Sequence, residues 1–367
     1  MIRFGIMTLT MDSENTFFNE IATRAATHDM ECYRFIPSHI DPLTQLVKGK
    51  KFDSIEQNWT SSEFPIPPIL YDRCFYGDDD HSKQCMPIVS WLKNREDFTF
   101  LGYGLPNKLE LYEILKESVL SPYLIPSQSV TDEKIVFEEL AIKKRIILKP
   151  VNGSQGYGIY YINKSNKTFH VKTEKHKQMI SRIFPNETKF SKWLKQLIQH
   201  RRYLLQPYLE LFNQELQPFD IRMLLQKNAE GKWMERGKGI RRGSTGGILS
   251  NLSAGGTVID FKSWSSTLPI TVKEFIKNEL EYIKSNLPLL LEEKFLPLFE
   301  LGVDIGVAKD GSIWILDVNS KPGRKVILST SFDLQNTLFD APLLYGKFLT
   351  QAHHIERKNF HEKTLSD

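Results

Sequence analysis

The chain of 367 residues is 41% hydrophobic and 25% charged, with a formal net charge of +4, ordinary values that exclude wholesale disorder and a fibrous architecture. Its length suits two or three packed units rather than one core. The small positive charge, spread along the chain, supplies no strong argument for nucleic acid and is equally explained by small anionic substrates. Cys32, Cys74 and Cys85 are an odd, unpatterned set, which points to a reducing compartment without a disulfide framework. The opening MIRFGIMTLTMDSE meets acid too early for a signal peptide, and no apolar run approaches the length of a membrane span. These features predict a multi-lobed cytoplasmic protein with no membrane partner.

Arg3 to Leu9 reads as an opening strand, residues 15–27 as a helix through Phe17, Phe18, Ile21 and Ala25, and residues 31–36 as a second strand. Strand, helix, strand predicts a parallel sheet in a small α/β unit. No G-x-G-x-x-G follows the first strand, so the unit reads as structural or substrate-facing rather than as a dinucleotide site. The run Gly77-Asp-Asp-Asp80, with His81 and Cys85 after it, reads as a turn in preference to a metal cluster. Asn107 is placed to cap a helix beginning at Lys108, with Glu110 to return the bond and Leu109, Tyr112 and Leu115 toward a core. Lys108, in the first turn, opposes the helix dipole, a cost that a nearby phosphate offsets.

Residues 145–162, RIILKPVNGSQGYGIYYI, are two β-rich runs around a loop holding Gly153, Gly156 and Gly158. Glycines let backbone N–H groups approach a polyphosphate, and Lys149 supplies a cation. The loop is therefore a candidate phosphate cradle, with a flexible hairpin tip as the alternative; it is not a P-loop, which needs a different spacing and a following helix. Asn186 or Thr188 opens a helix with Phe190, Trp193, Leu194 and Leu197 toward a core. In YLLQPYLEL, Pro207 ends the ladder and frees backbone groups around Gln206 to Leu209, the kind of edge an adenine needs. Residues 219–226 form a strand with Asp220 and Arg222 on one face. Residues 235–256 concentrate Arg236, Lys238, Arg241 and Arg242 among glycines, predicting a mobile backbone suited to planar recognition of carboxylate or phosphate. RNA is set aside because no aromatic residues are interleaved for base stacking. Residues 272–291 read as an amphipathic helix, and the tail from Ala352 as polar and disordered.

Residues 300–324, ELGVDIGVAKDGSIWILDVNSKPGR, are the most informative stretch. If Asp310-Gly311 is a two-residue hairpin turn, Asp304 falls opposite Asp317, with Gly306, Ile315 and Asn319 on the same face. The other face then buries Val303, Ile305, Val307, Trp314, Leu316 and Val318. Two facing carboxylates repel, and with the Asn319 amide beside them they suit a hard cation, Mg²⁺ above all. A solvated hairpin edge is the alternative.

A lysine opening a helix, a lysine before a glycine hairpin, a Pro-interrupted strand, a D-x-R strand and a D…D-x-N hairpin, in that order, resemble the ATP-grasp superfamily. From Met1 to about Leu349 the chain is similar to the YheC/YheD family within it, described as endospore coat-associated proteins of bacilli. The resemblance implies an α/β (α+β) ATP-grasp architecture: a Rossmann-like N-terminal domain over residues 1–105, an ATP-grasp domain over 106–350 and a polar tail over 351–367. The ATP-grasp domain would divide into a lid lobe (about 122–207) and a large lobe (about 208–350), with the nucleotide between them. It further implies that Lys108 and Lys149 contact the phosphates of ATP and that Gly153, Ser154, Gly156 and Gly158 form the lid loop. Gln206, Pro207, Tyr208 and Leu209 would hold the adenine, with Glu210 near the ribose. Asp304, Asp317 and Asn319 would ligate Mg²⁺, while Arg222, Arg241 and Arg324 face the acceptor or the transferring phosphoryl group. One departure stands out: the position of Asp317 is usually Glu in these enzymes, which bears on whether one or two ions are held.

The activity so implied is an ATP-dependent carboxylate-amine ligase, with a small-molecule carboxylate and amine as substrates and an accompanying association with the spore coat. No nucleophilic Ser, Cys or His is required, and no triad is present. The competing readings are a phosphotransferase acting on a small hydroxyl substrate and a spore structural protein with little activity.

Overall fold

The computed structural model describes residues 1–367 apart from 154–156, 176–177, 249, 251–254, 331 and 365–367, and apart from the side chains of 332 and 352–364. Three sheets organise the chain. The first runs, in spatial order, Asn58–Pro65, Leu46–Asp53, Met30–Phe35, Ile2–Met7, Ile69–Asp72 and Thr99–Phe100. Its inner strands are parallel, as the strand-helix-strand opening predicts, and an antiparallel hairpin of residues 46–65 extends one edge. Helix Asn15–Ala25 buries Phe17, Phe18, Ile21, Ala22 and Ala25, an i, i+3, i+4 stripe, on this sheet. The acidic run at residues 77–80 is a turn whose Asp79 caps helix Asp80–Lys93, its side chain accepting from Ser82 N at 2.8 Å.

The second sheet is antiparallel: Gln178–Phe184, Thr168–Lys175, Tyr160–Ser165, Arg145–Pro150, Tyr203–Pro207 and Gln128–Val130. Helices Glu133–Lys143 and Glu187–His200 cover one face, the latter capped by Asn186 through Lys189 N at 3.0 Å. Phe169 and Phe190 stack at 4.3 Å in the core between sheet and helix.

The third sheet runs Thr257–Asp260, Trp233–Arg242, Phe219–Lys227, Glu300–Val307 and Ile313–Asn319. Helix Ile270–Lys294 packs on it through Ile276, Leu280, Ile283, Leu287 and Leu291. The arginine- and glycine-rich stretch predicted as mobile is, up to Arg242, a strand paired along its length with Phe219–Lys227 and, from Gly239 to Arg242, on its other side as well. Its glycines serve close approach: a Cβ on Gly239 would lie 2.6 Å from Val326, and one on Gly237 3.1 Å from Ile327, so helix Lys325–Thr330 can lie against the strand.

The hairpin register differs from expectation in a self-cancelling way. Ala308 N bonds Ser312 O at 2.9 Å and Gly311, at φ 88°, closes a three-residue loop rather than a two-residue turn. This slips the pairing by one, so Ile305 faces Ile315 and Gly306 faces Trp314. A bulge at Leu316 then restores the count, and Asp304 pairs with Asp317 as predicted. Ile313 and Ile315 therefore enter the core, and Leu316 is delivered to the opposite side.

Asn107 caps helix Lys108–Leu115 as anticipated, accepting from Leu109 N and Glu110 N at 3.0 and 3.1 Å and donating to the Glu110 carboxylate at 2.7 Å. Its buried residues are Leu111 and Leu115, not Leu109 and Tyr112. The helix Gln335–Thr364 runs through the segment expected as a disordered tail. Its first half returns to the N-terminal sheet, joining Phe339, Leu343 and Tyr345 to Phe4, Tyr71 and Phe299 in one core. Among the described residues no helix is long and apolar enough to cross a membrane.

Candidate functional site

The third sheet aligns a row of charges across adjacent strands. Arg222 pairs in register with Asp304, which pairs with Asp317; Asp220, two residues before Arg222, is opposite Arg241. Arg241 grips the Asp220 carboxylate with Nε and Nη2, both at 2.7 Å, and reaches Asp304 Oδ2 at 2.8 Å. Ser250 also donates to Asp220. Burial works against the charge on Arg241, but Asp220 and Asp304 outweigh it and hold the guanidinium above its ordinary pKa. Arg222 Nη2 donates to Asp304 Oδ2 at 3.1 Å. Its Nε lies 2.5 Å from Oδ1, yet the two are misaligned, and each is left buried without a hydrogen bond.

Two lysines approach from elsewhere in the chain. Lys108, at the helix start, donates to Asp317. Lys149, from the second sheet, donates to Leu316 O at 2.7 Å and stands 3.7 Å from Asp317 Oδ1. Burial drives Lys149 down, Asp317 opposes this, and the neighbouring Lys108 charge adds to the fall, leaving it at about 8. Burial pushes Asp317 the other way, but Lys149 and Lys108 outweigh it and hold the carboxyl at about 2.

These groups line a cavity of about 740 Å³. Gly153 and Tyr157 from the glycine loop and Asn319 from the hairpin also face it. A narrower slot of about 50 Å³ abuts the cavity, with Leu111, Tyr112, Leu204, Gln206, Ile315 and Val318 in its walls. Lys108, Lys149, Leu316 and Asp317 belong to both, so a small, mainly apolar space and a charged chamber share a wall that carries a pair of lysines.

Of the residues singled out by sequence, Lys108, Lys149, Gly153, Arg222, Arg241, Asp304, Asp317 and Asn319 converge on the cavity and Gln206 on the slot. Ser154 and Gly156 lie outside the described residues. Gly158, at φ 77°, stays at the base of the loop, where a Cβ would come 3.1 Å from Pro150. Pro207 is the last residue of its strand, paired with Ile146, and Tyr208 N bonds Arg145 O at 3.3 Å, so this stretch is less open than expected. Leu209 accepts from Leu211 N at 3.0 Å, and Glu210 pairs with Arg145 at 3.0 Å; none of residues 207–210 forms a wall of either space.

Arg324 is turned away from the chamber. It bonds Tyr71 and Glu300 and lies 3.7 Å over the Phe17 ring, buried against the N-terminal sheet. Lys321 does line the cavity, but its ammonium is held by Asp72 and Cys74 O, at 2.6 and 2.8 Å. Conversely, Glu14, Phe75, Asp220, Ser250 and Leu316 line the cavity without having been singled out for it. Asp220 alone had a readable signal, its shared face with Arg222.

Among the described residues no three His, Cys, Asp or Glu converge as a metal cluster. The set available is two carboxylates and an amide oxygen. With Asp304 Oδ1 buried and lacking a hydrogen bond, it fits a hard cation bound through oxygen, as Mg²⁺ is.

Three sheets with a cleft between the second and third make up an ATP-grasp fold. The structure is similar to D-alanine-D-alanine ligase from Coxiella burnetii (TM-score 0.52, 11% identity, 99% of each chain) and to D-alanyl-alanine synthetase A from Vibrio cholerae (TM-score 0.54, 12% identity, 94% of this chain and 98% of that one). A D-cycloserine synthetase superposes comparably (TM-score 0.53, 12% identity, 95% and 99% covered). Residues 97–349 match the family model for YheC/D-like ATP-grasp proteins, and the chain belongs to that family. It is 39% identical over 354 residues to the endospore coat-associated protein YheC of Bacillus subtilis, covering 95% of this chain and 96% of that one. YheD of the same organism is 23% identical over 312 residues, 84% of this chain and 68% of its own length.

Proposed function

We propose that the chain is an ATP- and Mg²⁺-dependent ligase that activates a substrate carboxylate as an acylphosphate and joins it to an amine. The observation that carries this reading is the shared boundary of the slot and the cavity. A mainly apolar slot and a charged chamber share the wall that carries Lys108 and Lys149, the order in which a base and its phosphates would lie. The ATP-grasp fold and its ligase relatives support the same class.

Asp304, Asp317 and Asn319 would hold Mg²⁺, which when bound supplies charge neutralisation to the phosphates. Lys108 and Lys149 exchange their hold on Asp317 for the phosphates. Arg222 and Arg241, released in part from Asp304, face the γ-phosphoryl group and the acceptor carboxylate. A carboxylate oxygen attacks the γ-phosphorus, the bond to the bridging oxygen breaks and ADP leaves; the amine then displaces phosphate from the acyl carbon and loses a proton. Gly153 and Tyr157, which line the cavity, would shield the acylphosphate from water.

Similarity to proteins named as endospore coat-associated supports a role in sporulation. The test is ADP release by the purified protein with ATP, Mg²⁺ and pooled amino acids or cell extract, with new amide masses read in parallel. Asp317→Ala and Asn319→Ala are expected to abolish turnover while the fold survives. ADP release near wild type in either variant overturns the metal assignment, and phosphate retained on the acceptor turns the reading to a phosphotransferase.

A further inference from the structure

Contrary to the even spread expected above, the net charge of +4 is concentrated in one segment. Residues 143–202 hold fifteen Lys and Arg against two acidic residues, Glu174 and Glu187, leaving the rest of the chain nine charges negative. These residues build most of the second sheet and its helix Glu187–His200. The lobe's other carboxylates, Asp132, Glu133, Glu138 and Glu139, sit on or beside helix Glu133–Lys143, which packs toward Gln128–Val130 and Arg145–Pro150 at the opposite side of the sheet.

The strand Gln178–Phe184 ends this sheet. All seven of its residues pair regularly with Thr168–Lys175, and among the described residues no strand lies on its other side. Edge strands are ordinarily protected by proline, bulges or several charges. This one, QMISRIF, has none of the first two and a single charge, Arg182, while Met179, Ile180 and Ile183 are exposed at 40%, 37% and 63%. Helix Glu187–His200 flanks the edge with exposed Lys189 and Lys192, and Lys175 ends the neighbouring strand.

We propose that this edge receives an extended acidic polypeptide segment, with apolar residues among its Asp and Glu, as an added strand. Main-chain bonds to residues 178–184 would hold it, Met179 and Ile183, on one face of the strand, would pack its apolar side chains, and Arg182 on the other face with the surrounding cations would select its charge. A second copy of this chain is disfavoured as occupant because edge-to-edge pairing brings two strongly basic lobes together. A nucleic acid leaves the exposed Met and Ile side chains without apolar partners, and the strand's one aromatic residue, Phe184, is packed against Phe190 and Trp193 rather than offered to a base.

The probe is a fluorescein-labelled peptide of alternating Glu and Val, its anisotropy followed during titration with the full chain. Binding that weakens with added salt, falls about tenfold or more in Arg182→Glu and in Ile183→Asp, and protects amides of residues 178–184 from exchange is the expected result. Thermal melts of both variants close to wild type establish that the loss is not unfolding. Unchanged peptide affinity in both variants, equal competition by a DNA duplex, or pairing of two chains through residues 178–184 in solution would each overturn the proposal.

Discussion

Lys149 and Asp317, from different sheets, meet with Nζ 3.7 Å from Oδ1 while Lys149 is anchored on Leu316 O at 2.7 Å. This contact ties the second sheet to the third at the boundary between slot and chamber. It also displaces both groups from their ordinary titration, Lys149 to about 8 and Asp317 to about 2.

Nucleotide phosphates beside Lys149 favour its charged form, so binding near pH 8 and above takes up a proton, whereas around pH 6, where Lys149 is already charged, it takes up almost none. Calorimetry in buffers of different ionisation enthalpy reads the uptake directly. In Lys149→Met the uptake vanishes and nucleotide affinity falls roughly tenfold to hundredfold, the scale of one charge-assisted hydrogen bond.

Both residues make stability rise with pH, because each binds its proton more weakly in the folded state, but the charged form stabilises at Asp317 and costs stability at Lys149. Asp317 has a lowered folded-state pKa, so its contribution is present above the ordinary carboxylate range and is lost as pH falls through about 2. Lys149 is lowered as well, which for a cation costs stability below about 8; the cost disappears as pH rises from there toward the ordinary lysine value. Urea titrations of wild type and Asp317→Asn should therefore diverge at neutral pH and converge in acid.

On the proposed function, loss of Asp317 or Asn319 is expected to act on turnover. Asp317→Ala is expected to reduce ADP release at least about hundredfold, the scale of removing a principal electrostatic element of a phosphoryl-transfer site. Circular dichroism should remain that of wild type, and Mg²⁺-dependent protection by ATP in thermal melts should be absent.

Arg73 is fully buried, held by Glu14 at 2.9 and 2.7 Å and by Glu300 at 2.9 Å. Glu300 begins the strand that carries Asp304. Arg73→Met leaves buried carboxylate without its full set of partners and should cost about 3–5 kcal/mol, read as a lowered urea midpoint. A variant with an unchanged midpoint would show that this network adds nothing to the joining of N-terminal sheet and hairpin strand.

Gly311 has φ 88° with nothing within 4 Å of a Cβ. Gly311→Ala therefore tests backbone conformation alone: a loss of about 1 kcal/mol is expected, with turnover retained.

Much of the site was legible because its signals are local. A capping Asn and its returning Glu are three residues apart, so Asn107 and the helix from Lys108 could be read directly. The direction of Arg324 could not, since Tyr71, Glu300 and Phe17 come from distant parts of the chain. Glycine near arginine was read as mobility; a packed strand results because Val326 and Ile327 need the space that Gly237 and Gly239 leave.

The pairing of Asp304 with Asp317 shows where the division lies. Alternation along each strand determined that two carboxylates share one face of the hairpin, since strand side chains alternate strictly. A longer loop and a compensating bulge, both set by packing of Ile313 and Ile315 into the core, preserved that pairing while moving Leu316 to the chamber. Only the tertiary structure brought Lys108, Lys149, Arg222 and Arg241 around the pair, because a buried charge takes whatever partner the folded chain sets within reach.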